Sequence, residues 1–293
     1  TKGITLMGAG ESATIIQDNV SKGSATCVGG PLMLWNVTAG KSMRISGFTI
    51  SGVATDPNVC QKGHLKIGGG THDMRIDHLT INPPQTVSIF VAGDIWGLID
   101  HLTVNAGSHF VNSIRVEANG WNGTTGDNWG DQSWAQPLHP GTTEGIVIED
   151  SSFNYANGST IGNATDCFSG GRLTIRHNSF TGSNVGSHGV DSDQRHRACR
   201  WQEIYSNTFS FNASLGQQPA FISWIRGGSG VFYNNTITGV TPNAAVQATN
   251  CRDTGVGCGG NAAGNWPPWG ACNGSSLYDQ NASGQSGYRC VDQ

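Results

Sequence analysis

The sequence predicts an all-β chain built as a parallel solenoid of about eight coils and closed by a Cys-rich C-terminal cap. Three observations carry this reading. A block of eight residues recurs seven times, beginning at Met43, Met74, Gly97, Ile146, Leu173, Gln202 and Gly230. Its third and eighth positions are apolar in every copy and its seventh is always Thr or Ser. Successive copies lie 23–31 residues apart, apart from one interval of 49. A period of this size with β-type composition belongs to stacked repeats, each covering its neighbour's apolar edge. Gly makes up 43 of 293 residues and falls beside short apolar runs, which suits many tight turns.

Taken in order, residues 3–20 form a first coil without a full block. Within each block, positions 3, 6 and 8 point inward, with a bend allowed between strands. Position 6 changes from Phe48, Leu79 and Leu102 to Ser151, Asn178, Asn207 and Asn235. Stacked Asn side chains can hydrogen-bond in a ladder; the alternative is Asn in left-handed turns. The long interval contains an insertion, 118–143, with Trp121, Trp129 and Trp134. A long loop in a repeat protein is usually functional or disordered, and three Trp argue against disorder. The solenoid spans 1–242. The remainder, 243–293, lacks the block and holds Cys251, Cys258, Cys272 and Cys290, so it reads as a disulfide-pinned cap.

Composition excludes several classes. A net charge of −4 exerts no general pull on nucleic acid. No apolar run approaches a membrane span. Eight Cys without a CxxC pair disfavour a zinc ribbon and favour disulfides, hence a secreted or cell-surface protein. Cys27 with Cys60, and Cys167 with Cys199, are each about one coil apart. No polar cap is visible at the first coil. The expectation is a trimmed chain, or an edge covered from outside, with self-association through that coil as a possible partnership.

The blocks, the opening Gly3-Ile-Thr-Leu-Met-Gly-Ala-Gly-Glu-Ser-Ala-Thr-Ile-Ile16 and the tail Tyr233-Asn-Asn235 resemble the pectate-lyase-like family of right-handed parallel β-helices. The resemblance covers nearly the whole chain as a pattern and implies a right-handed parallel β-helix. It is less specific for activity, because the superfamily holds lyases, glycoside hydrolases, tailspikes and adhesins. Arg226-Gly-Gly-Ser-Gly-Val-Phe-Tyr-Asn-Asn235 is similar to a pectate lyase stretch. The family's catalytic Arg lies five residues earlier, where this chain has Phe221, so that role is not carried over. Asp94-Ile-Trp-Gly-Leu-Ile-Asp-His101 is similar to the family's Trp-Ile-Asp-His run, with two extra residues.

The richest polar segment is 188–200, with His188, Asp191, Asp193, Arg195, Arg197 and Arg200. In an extended strand Asp191 and Asp193 share a face about 6.5–7 Å apart at Cα. That spacing is near the carboxylate separation of inverting glycosidases, where one carboxyl protonates the leaving oxygen and the other activates water. Ser187-His188-Gly189 is similar to the Gly-His-Gly element of polygalacturonases. Alternatively the Arg residues hold the carboxylates of a uronic-acid polymer and a basic residue removes the adjacent proton, giving β-elimination. The bland alternative is a surface turn with local ion pairs. His188, Asp191, Asp193, Arg195 and Arg197 are therefore the candidate catalytic set. Arg115, Glu117, Asp166, Trp224 and Arg226 precede the blocks and would share a flank with it. Arg200, Arg226, Trp224, Arg115, Glu117 and the insertion's Trp121, Trp129 and Trp134 are the candidate substrate-binding set, the Trp faces stacking on sugars or packing the loop.

No cofactor is expected. Ca²⁺ has only Asp127, Asp131 and Glu144 as candidate ligands, without loop spacing. His78, His101 and His177 share block position 5, and three stacked His could bind metal, but Asp150 interrupts the row and disfavours it. The functional expectation is an extracellular lyase or hydrolase acting on an acidic polysaccharide. The rival is a noncatalytic adhesin, tailspike-like binder or surface filament. An ice-binding solenoid would need a flat Thr row, and the bulky, charged flanks of position 7 disfavour it.

Overall fold

The computed structural model describes residues 3–19, 31–52, 63–82, 87–106, 112–121, 130–156, 162–187 and 197–248. Strands within this range pair in parallel and form three sheets of thirteen, five and four strands. Copies of the block lie side by side in the largest sheet. Third-position residues are register partners from rung to rung: Leu6, Ile45, Ile76, Ile99, Ile148, Ile175, Ile204 and Phe232. All but the first and last of this column are buried. Strand periodicity explains the pattern, since alternate side chains face opposite sides. Positions 1, 3, 6 and 8 face the core, and 2, 4 and 7 face outward.

Position 5 is the exception to strand geometry. Gly47, His78, His101, Asp150, His177, Ser206 and Asn234 all have φ between 49° and 78°. This left-handed residue turns the chain, so the apolar set changes from odd to even positions. Where position 6 is Phe or Leu the strand runs on, as in Met43–Gly52, Met74–Asn82 and Gly97–Asn105. Where it is Ser or Asn the strand divides, as in Ile146–Glu149 followed by Ser152–Asn154.

The polar side chains at the break replace lost backbone pairing. Asn178 Oδ1 accepts from Ser151 N, and Asn207 Oδ1 accepts from Asn178 N, each at 3.0 Å. Asn207 N donates in turn to Asn235 Oδ1 at 3.0 Å. The side-chain amides also link directly, Asn178 Nδ2 to Asn207 Oδ1 and Asn207 Nδ2 to Asn235 Oδ1, both 3.0 Å. The Asn ladder therefore exists, and the left-handed residue is its neighbour at position 5. Behind it, Phe153, Phe180 and Phe209 stack with centroids 5.0 and 4.7 Å apart.

The second sheet contains Met33–Val37, Leu65–Gly69, Val87–Ala92, Asn112–Glu117 and Thr165–Phe168. The third contains Gly162–Asn163, Ser183–Gly186, Phe221–Ile225 and Ala244–Ala248. The last of these strands pairs with Phe221–Ile225, so the stack continues past residue 242. The rest of the expected cap, 249–293, lies outside the described residues, as do Cys27 and Cys60. Cys167 and Cys199 form a disulfide across a sequence separation of 32. No helix among the described residues is long and apolar enough to cross a membrane.

Candidate functional site

Described residues that flank two of the sequence-selected segments are joined by backbone hydrogen bonds. The insertion begins after the strand Asn112–Glu117, and the segment 188–196 begins just after Ser183–Gly186. Backbone bonds tie their bases into one row: Ala118 N donates to Ser169 O, and Ser169 N to Arg197 O. His188, Asp191, Asp193 and Arg195 lie outside the described residues, as do Trp129 and Asp127. The side chain of Asp131 does too. Arg197, Arg200, Trp121, Trp134, Arg115, Glu117, Trp224 and Arg226 are described.

The insertion returns to the stack as a short helix, Asp131–Ala135. Its approach is close: a Cβ on Gly130, whose φ is +88°, would sit 2.2 Å from Ser169 backbone atoms. Ser133 Oγ donates to Gly170 O at 2.6 Å, and Trp134 Nε1 donates to Ala198 O at 3.1 Å. Arg200 and Arg197 place their guanidinium carbons 4.8 and 5.9 Å from the Trp134 ring centre. The insertion is thus in direct contact with the base of the Arg-rich segment.

Arg172, which carries no motif or periodicity that marks it, organises this contact. Its Nη2 donates to Ser133 O at 2.7 Å, and its Nη1 to Pro137 O and Glu144 Oε2 at 2.9 and 3.1 Å. Its guanidinium lies 4.2 Å from the Trp121 ring centre. Trp121 and Trp134 are only 3% and 2% exposed. Of the two readings for these rings, the structure forms the loop-packing one, because protein already covers their faces. Glu144 is held by Arg172 and by His139 Nδ1 at 2.7 Å. Among the described residues no group of three or more His, Cys, Asp or Glu could hold a metal ion.

Arg115, Glu117 and Asp166 gather on the flank. Arg115 and Asp166 are register partners. The Arg115 guanidinium lies 3.9 Å from the Phe168 ring centre and its Nε 3.5 Å from Glu117 Oε1. Farther along, Arg226 lies over Trp224 at 4.3 Å, and Trp224 packs against Phe221 at 5.1 Å. Both Trp224 and Arg226 are half-buried, and Ser187 Oγ bonds Trp224 O and Arg226 N at 3.1 Å each. These two stand beside Ser187, on a later rung than Arg115.

A second polar surface was not selected as a site. It occupies the outward positions 2 and 4 of the block. Arg44 bonds Asp77 through two nitrogens at 2.8 and 2.7 Å, and Arg75 bonds Asp100 at 3.1 and 2.9 Å. Burial alone would raise the Asp77 carboxyl. Hydrogen bonds from Arg44, His78 and Ser46, with the Arg44 charge, outweigh it and hold the group well below the usual carboxylate range. Farther along, Arg176 bonds Glu149 at 2.5 Å and the Tyr205 hydroxyl at 3.0 Å. A cleft of about 240 Å³ opens here, lined by His72, Leu98, Thr143, Glu149 and Arg176 among others. The signal for this surface was the alternation itself: positions 2 and 4 are the outward partners of apolar 1 and 3. No family model, no curated protein and no solved structure matches the chain.

Proposed function

We propose that the parallel stack is a right-handed, pectate-lyase-like β-helix of about eight coils, and that it is a secreted protein acting on an acidic polysaccharide. The substrate would lie along the flank bearing Trp224 and Arg226, with the segment 188–200 supplying the chemistry as a lyase or hydrolase. The observation that carries this reading is the contact of Trp134 with Ala198, Arg197 and Arg200. It holds the returning end of the insertion against residues 197–200, the described end of the most polar segment. The half-buried Trp224–Arg226 pair offers an aromatic face and a cation. The Cys167–Cys199 disulfide supports an oxidising compartment.

The test is incubation with a panel of uronic-acid polymers, following unsaturated products by absorbance and new reducing ends chemically. The expected result is cleavage that is lost in Asp191→Asn or Asp193→Asn and weakened in Arg226→Ala. Absence of cleavage across the panel would overturn the catalytic reading.

A second reading has its own observation. The strands Ile4–Met7 and Ile15–Asp18 pair only with Met43–Gly52 among the described strands, and Ile4, Met7, Ile15 and Leu34 are 57–65% exposed. An apolar strand edge of this kind supports self-association. Light scattering would then show assemblies that Ile4→Lys and Ile15→Lys disperse.

A further inference from the structure

His78 and His101 form an arrangement that the glycan reading does not use. They stand on neighbouring rungs with their rings stacked, centroids 4.7 Å apart and planes 3° apart. Each Nδ1 lies against the carboxylate of the preceding residue, 2.8 Å from Asp77 Oδ2 and 2.7 Å from Asp100 Oδ2. A carboxylate only accepts, so Nδ1 of the neutral ring carries the proton and Nε2 keeps its lone pair. No hydrogen bond reaches either Nε2 from the described residues, and the two side chains are 52% and 51% exposed. The carboxylates are themselves held. Asp77 takes Arg44 and Ser46, and Asp100 takes Arg75. This matches the way a carboxylate fixes the tautomer and orientation of a metal-bound histidine.

We propose that His78 and His101 together bind a first-row divalent transition cation, Cu²⁺, Ni²⁺ or Zn²⁺, through their Nε2 atoms, with water completing the coordination. The donor set decides the class of ion. Imidazole nitrogen suits these metals, whereas Ca²⁺ and Mg²⁺ take oxygen. Charge does not oppose it, because Arg44 and Arg75 are each matched by a carboxylate and the exposed Asp150 follows on the next rung. Metal–nitrogen bonds of about 2.0–2.1 Å require the two Nε2 atoms to come within about 4.2 Å. The rings meet that by tilting their outer edges together, which half-exposed side chains can do. His177 stands beyond Asp150 and packs edge-on against Tyr205 at 6.2 Å, so it lies outside the pair. The proposal is independent of what the protein does to glycans.

The test is calorimetric titration of the full chain with Cu²⁺, with electron paramagnetic resonance of the one-equivalent complex. The variants are His78→Asn and His101→Asn, chosen because Asn tolerates the left-handed backbone; circular dichroism checks that they fold. His177→Asn is the control. The expected result is a tightest site showing two imidazole nitrogens, weakened at least tenfold by either variant and unchanged in the control. Wild-type affinity in both variants, a single-nitrogen spectrum, or a loss confined to His177→Asn would overturn the proposal.

Discussion

Position 5 of the block accepts Gly, His, Asp, Ser and Asn, but in every copy the backbone is left-handed. Gly adopts this conformation without strain, and Asn and Asp visit it more readily than β-branched residues do. Ser206, at φ 55°, tests the requirement. Ser206→Gly should leave unfolding free energy within about 0.5 kcal/mol of wild type, whereas Ser206→Val should lose about 1–2 kcal/mol; chemical denaturation measures both. Asp77 supplies a second test at this scale. Its folded-state pKa is depressed, so its stabilisation is present above the unfolded value of about 3.9 and fades as pH falls below it. Denaturation midpoints taken from neutral pH into acid should therefore fall less steeply in Asp77→Asn than in wild type. An identical slope would contradict the assignment.

At the scale of elements, the strand breaks are held by side chains where backbone pairing stops. Asn207 is the centre of that arrangement, 1% exposed and bonded to Ile175 O, Tyr205 O, Asn178 and Asn235. Asn207→Ala orphans several buried groups and should cost about 2–4 kcal/mol, while half-exposed Asn235→Ala should cost about 1 kcal/mol. Phe180 lies between Phe153 and Phe209, so Phe180→Ala should cost about 3–5 kcal/mol. Urea unfolding of the three variants checks this ranking. These elements were legible to different degrees. The inward positions followed from apolar periodicity. The ladder was one of two readings of the same Asn residues, because composition does not say which of two adjacent polar residues takes the left-handed turn. Arg172 was not legible, since its role depends on a helix that returns to the stack about 40 residues earlier in the chain.

Across the whole molecule, neighbouring rungs are linked by parallel register and by one disulfide among the described residues. Replacing Cys167 and Cys199 by Ala should cost about 2–4 kcal/mol, read as a lower thermal midpoint. The candidate site was legible as composition only. Trp134 and Arg200 belong to separate segments, and the structure brings them together; Arg115 and Arg226 stand on different rungs, a separation that composition does not give. Residue type reports chemistry, but register sets distance. That register is the central claim, and an engineered cysteine pair tests it most directly. Thr103 and Ser152 are far apart in sequence yet are register partners, and parallel neighbours lie about 4.8 Å apart, within reach of a disulfide. Peptide mapping should find the new crosslink in Thr103→Cys/Ser152→Cys and none in Thr103→Cys/Ser179→Cys, where the partners stand two rungs apart. A crosslink only in the second pair would contradict the stacking.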